Sequence, residues 1–169
     1  MTAARVRSVL AILSALLFGA LIWLSATYLT PQGYDTFDGS PLGYDLTYAR
    51  EYLSALQDTD GALALYTGPV RLLDTVFPVV FTGLLVMMLH HASRTWSLVP
   101  QLFLFLIPGT YLVMDLAENA LVGQILSTNV QELRADLVNQ ASGFTVSKYI
   151  ALGASVLALV AVKIGARGK

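Results

Sequence analysis

LVPQLFLFLIPGTYLVMDLAENALVGQIL, residues Leu98–Leu126, decides how this chain is read. It is longer than the ~20 mostly apolar residues a helix needs to cross the hydrocarbon of a bilayer. Yet it carries Asp115, Glu118 and Asn119 in its second half. Ionisable side chains inside a membrane cost a few kcal/mol or more, so they are rare and usually paired or functional. Residues three and four apart share a helix face, which puts Tyr111, Asp115, Glu118, Asn119 and Val122 on one side.

Three other stretches resemble it in apolarity: residues 6–29, 70–92 and 142–165. Arg71 and Asp74 fall on the second, and Lys148 on the fourth. At 1.5 Å per residue, Asp74 lies roughly 8 Å inside Pro69 and Lys148 roughly 9 Å past Ser142. Asp115 and Glu118 lie roughly 12–17 Å before Leu126. The three helices are therefore predicted to share one polar layer. Arg71, Asp74 and Pro78 would contribute one face, and Thr145, Lys148 and Leu152 another. In that layer three acids meet two bases, leaving one negative charge to be met by a proton, a cation or a ligand amine.

The rest of the composition agrees with a membrane-embedded chain. Of 169 residues, 56% are hydrophobic and only 12% charged, half the charge of an average soluble protein. The net charge of −1 supplies no basic field for nucleic acid. Without cysteine, disulfides and thiolate metal sites are excluded. The first apolar run is longer than the ~7–15 residues of a secretory h-region, so it reads as an uncleaved span.

The expected fold is all-α: a polytopic, single-domain four-helix membrane protein over residues 1–169. Arg5, Arg7, Arg94, Lys163, Arg167 and Lys169 gather on one side. That side is therefore predicted to be cytoplasmic, with both termini there and the inner (plasma) membrane as the location. All eleven acidic residues then fall in the outer half or outer loops. The outer loops are 30–69 and 127–141, and short amphipathic helices are expected within them, capping the bundle. Asp45 is a candidate N-cap for a helix with Leu46, Ala49, Leu53 and Leu56 at helical spacing. Tyr44, Tyr48 and Tyr52, interleaved with these, suit a helix lying in the interface. Gly61 to Tyr66 is a second short helical piece, and Gly68-Pro69 is expected to open the second span. Asn129 with Glu132 resembles a capping box.

Two prolines fall inside spans. Pro78 cannot donate to the carbonyl four residues earlier, that of Asp74, and Pro108 likewise frees Leu104. On the fourth span, Gly143, Ser147, Ala151 and Ser155 form one row of small residues, and Ala154, Ala158, Ala161 and Gly165 a second. Such rows permit close helix approach, one toward the bundle and one toward a protein partner or a second copy.

Several chemistries are excluded. His90 and His91 are at the opposite end from the polar layer, so no Ser–His–Asp site forms there. Adjacent histidines on one helix point about 100° apart and cannot face each other across a haem. No Glu-x-x-His pair of a diiron bundle occurs. What remains is an outward-facing pocket made by Arg71, Asp74, Tyr111, Asp115, Glu118, Asn119 and Lys148. It would bind the headgroup of a lipid or small amphiphile, or an ion. Arg71 and Lys148 would hold an anionic group. Asp115 and Glu118 would take a cation or shuttle a proton. A competing reading is an accessory or scaffold subunit whose buried charges are structural. A third is a lipid-headgroup enzyme using a divalent metal on oxygen ligands. The sequence names no cofactor, and it does not settle whether the protein is an enzyme.

Overall fold

The computed structural model describes residues 2–167, and every regular element among them is helical. Helix α1 spans Ala3–Tyr28, α2 Leu46–Asp58, α3 Ala62–Leu65, α4 Arg71–Ala92, α5 Leu98–Ser127 and α6 Ala135–Arg167. Four helical stretches are long and apolar enough to cross a membrane: Ala3–Tyr28, Ala62–Ala92, Leu98–Ser127 and Ala135–Gly165.

Two of these start earlier than the sequence predicts. Gly68-Pro69 does not open α4. A π-helical turn over Tyr66–Val70 carries the chain from α3 into α4 without a break. Proline lacks an N–H to donate, and the wider turn passes it without ending the helix. Helix α6 begins at Ala135, because the polar residues Asp136, Asn139 and Gln140 form its exposed first turns instead of a separate loop.

Cross-helix contacts fix the directions. Phe18 stacks on Phe77 at 5.5 Å, making α1 and α4 antiparallel with the approach of Leu10 to Gly83. Phe81 meets Tyr111 and His90 meets Phe105, so α4 and α5 are antiparallel. Lys148 reaches both Asp115 and Glu118, and α5–α6 is the most extensive packing in the fold. Helix α1 packs along α4 and makes no comparable contact with α6.

Asp45 accepts from Tyr48 N at 2.8 Å and starts α2, whose Ala49, Tyr52, Leu53 and Leu56 are buried. The tyrosines at and within the start of α2 form an aromatic cluster with the loop before it. Tyr44, Tyr48 and Tyr52 pack against one another and against Tyr34 and Phe37 with tilted or edge-on rings. The Tyr52 hydroxyl donates to Leu29 O at 2.8 Å, and that of Tyr48 to Asp35 O at 2.7 Å. Each ring thus covers apolar surface while its hydroxyl satisfies a loop carbonyl. Asn129 caps a single 3-10 turn, Val130–Glu132, by accepting from Gln131 N at 3.0 Å. The capping-box pattern accordingly yields a turn and not a helix.

Of the two small-residue rows, the first turns inward as it descends: Ala151 and Ser155 are buried. Ala154, Ala161 and Gly165 of the second are exposed.

Candidate functional site

The loop between α1 and α2 builds one wall of the site. Residues Thr36–Ser40 fold into a tight turn in which Gly39 N donates to Thr36 O at 3.0 Å and to Thr36 Oγ1 at 3.1 Å. Phe37 is fully buried and anchors the turn in the tyrosine cluster. A second anchor lies at Gly43, whose φ of +84° belongs to the left-handed region. A methyl group there would stand 2.6 Å from Ser142 Oγ, so the backbone lies directly on α6. Tyr44 N then donates to Ser142 Oγ at 2.9 Å.

Held in this way, Asp38 points into the bundle. Its Oδ2 accepts from Tyr66 OH at 2.8 Å, and its backbone carbonyl accepts from Tyr149 OH at 2.7 Å. Its Oδ1 lies 3.4 Å from Lys148 Nζ. The same ammonium lies 3.4 Å from Asp115 Oδ1 and makes an ion pair with Glu118 Oε2. Thr145, one turn before Lys148 on α6, donates from Oγ1 to Glu118 Oε1. Glu118 is fully buried, and Asp115 and Lys148 nearly so. Burial pushes the Tyr44 phenol above its ordinary range, so it stays protonated beside this charge.

Asp74 completes the acidic side of the site. It lines the same groove but makes no ion pair among the described residues. Its backbone carbonyl is the one that Pro78 leaves without a helical donor. Asn119 Nδ2 reaches it from α5 at 3.3 Å. Asn119 therefore repairs a proline break; its amide is committed to backbone.

The sequence-predicted set divides accordingly. Asp115, Glu118 and Lys148 come together, with Asp74 and Tyr111 beside them. Arg71 does not join. Its guanidinium turns onto the backbone of α5 at Gly123, where a Cβ would overlap it. The absence of a side chain at Gly123 opens that space, and the expected pairing of Arg71 with the polar layer gives way to it. Asp38 was missed, as were its partners Tyr66 and Tyr149. A lone phenylalanine inside a polar, glycine-rich loop was the available signal, since Phe37 has reason to be there only if the loop is buried.

Four carboxyl groups thus face one ammonium, a more acidic balance than the three acids and two bases expected. The lysine nitrogen lies among them, and among the described residues no three His, Asp or Glu side chains converge as a metal site.

Above this floor is a groove of about 380 Å³. Phe18, Leu21, Ile22 and Ser25 of α1 form one side, and Lys148, Tyr149 and Leu152 of α6 the other. Asp74 and Phe77 of α4, Tyr111 and Asp115 of α5, and Asp38 of the loop form its base and end. Asp115 Oδ2 has no hydrogen-bond partner. Chemically the site can accept hydrogen bonds, hold positive charge, and take an apolar chain along the walls. Comparison with known protein families, curated proteins and solved structures finds no match for this chain.

Proposed function

We propose that this chain is a four-span inner-membrane protein whose outward-facing groove binds the polar end of a lipid or amphiphile, or an ion. The observation that carries the reading is Asp115: nearly buried, lining an open groove, with one carboxylate oxygen unpartnered. A buried polar atom left unpaired costs about 1–3 kcal/mol, so a donor supplied by a ligand would be stabilising there. The walls are apolar and the base is charged, the usual build of a small-molecule pocket.

The positive-inside rule supports the orientation. Arg5, Arg7 and Arg94 belong to the end away from the acidic site, which puts both termini in the cytoplasm and the α2 loop outside as a helical cap. The chain contains no cysteine, so single cysteines introduced at Leu42 and Thr95 report topology without background. A membrane-impermeant maleimide added to intact cells is expected to label the first and spare the second. The reverse pattern overturns the orientation.

Binding is tested by native mass spectrometry of the protein released from mild detergent. Wild type is expected to retain a small-molecule adduct. Ser25→Trp, which fills the groove from α1, is expected to lose it while keeping its melting temperature. A bare wild type, or equal adducts on both, overturns the reading.

A second reading has its own support. Lys148 already ties the loop, α5 and α6 together through Asp38, Asp115 and Glu118. Such ties also suit an accessory subunit whose charges set its fold and whose exposed α6 row meets a partner. Retention of a protein partner by Ser25→Trp, with no small-molecule adduct on wild type, favours that reading.

A further inference from the structure

We infer that the ligand of this groove is an amphiphile whose polar end carries a protonated amine, an inference that rests on the groove being a headgroup site. Three observations lead there independently. The first is charge: Asp35, Asp38, Asp74 and Asp115 all line the groove, and Lys148 is the one cation among its lining residues. An anionic headgroup entering would meet four carboxyl groups against one ammonium. The second is hydrogen bonding. Asp115 is 4% exposed and its Oδ2 accepts from nothing. Its free acceptor capacity suits an N–H or O–H donor, which an ammonium with protons supplies and a quaternary ammonium does not. An alkylamine, like a lysine side chain, is protonated at neutral pH.

The third observation is the shape and lining of the walls. Tyr111, Tyr149 and Phe77 border the charged base, and aromatic faces attract cations within about 6 Å. Lys148 Nζ already sits 5.7 Å from the Tyr149 ring centroid, which leaves Tyr111 and Phe77 as the rings for a ligand cation. Beyond the base, Phe18, Leu21 and Ile22 face Leu152 across the groove. From Phe18 to Ala26 the α1 wall is about 12 Å long, room for a medium alkyl chain lying along the helix. The amine would sit between Asp74 and Asp115, with its chain against α1.

The chemistry has two natural sources: the ethanolamine headgroup of a membrane phospholipid, or a free amphiphilic amine. The test uses the full chain in a neutral maltoside detergent and four probes of equal chain length: decylamine, decyltrimethylammonium, decanoate and decanol. Decylamine is expected to bind saturably by calorimetry and to raise the melting temperature. Decyltrimethylammonium is expected to bind about tenfold more weakly, the worth of one charge-assisted hydrogen bond. Decanol and decanoate are expected to bind more weakly still. Asp115→Asn is expected to weaken decylamine by about tenfold or more, and should it fail to fold, Asp74→Asn gives the same readout outside the lysine cluster.

Competition by lysophosphatidylethanolamine would assign the amine to a lipid headgroup. Decylamine binding without such competition would assign it to a free amine, and both results support the inference. Decanoate binding as tightly as decylamine overturns the amine class and leaves a headgroup site standing. Saturable binding by none of the four overturns both.

Discussion

The two halves of this helical bundle are held together by different means. In the half that carries the α1–α2 loop, buried tyrosines, a buried ion-pair network and loop hydrogen bonds tie every helix to its neighbours. In the other half the polar ties are few. Gln101 is the main one: it donates to Ser93 O at 3.1 Å and Trp96 O at 3.0 Å, closing the α4–α5 turn. Elsewhere in that half the buried hydroxyls of Ser14 and Thr82 have no hydrogen-bond partner. Lipid is as apolar as leucine, so for spans in a bilayer burying leucine between helices would gain little, and specificity would come from polar contacts and close packing. This chain concentrates the polar contacts at one end.

Lys148→Met is the most severe way to break that contrast. It leaves four carboxyl groups with no cation and is expected to cost about 3–5 kcal/mol, read as the fall in melting temperature in detergent. Adding Glu118→Gln and Asp115→Asn is expected to recover part of the loss, since removing both sides of a buried pair is often near neutral. Thr145→Val follows at about 1.5–3 kcal/mol, because Glu118 loses a donor to a charged acceptor. Asn119→Leu is expected to cost about 1–2 kcal/mol by stranding the Asp74 carbonyl. The decisive version is a double-mutant cycle. With Pro78→Ala the helix supplies its own donor, so Asn119→Leu should then cost almost nothing. Equal costs with and without Pro78 would show that Asn119 acts in some other way.

Gly43→Ala is expected to cost about 1–2 kcal/mol through its left-handed backbone and to loosen the loop from α6. Protection of the Tyr44 amide from hydrogen exchange reads the second effect. The smallest expected change is in the other half. Thr82→Val replaces an unsatisfied hydroxyl by an isosteric methyl and should be neutral or stabilising by up to about 1 kcal/mol. Thr145 and Thr82 are both buried threonines, so the same substitution at two depths measures the asymmetry directly. Similar losses at both sites would mean that the halves are not held differently.

What was legible in the chain follows the same division. Each long helix shows as an apolar run, and Asp45 announced α2 because a cap is a local event. Asp115, Glu118 and Lys148 were recoverable because spacing along a helix converts to depth and face. Arg71 was misplaced because where it goes depends on Gly123, a residue on another helix whose relevance is that it lacks a side chain. Asn119 was grouped with the ligand-binding residues, although Pro78 and the freed Asp74 carbonyl were both read from the sequence. Only the α4–α5 antiparallel register brings that amide and that carbonyl together. Asp38 was missed because loop geometry has no period to read.

The sparse attachment of α1 has a consequence for any solute of the groove. With α1 seated on α4 and hardly touching α6, the groove proposed as a binding site would be open sideways beside Phe18 and Ile22. Once the helices are in a bilayer, a molecule dissolved in the surrounding leaflet can slide in sideways without passing through water. Occupancy would then follow the mole fraction of that molecule in the lipid and not its aqueous concentration. Apparent affinity in micelles should fall in proportion as detergent is added at constant ligand.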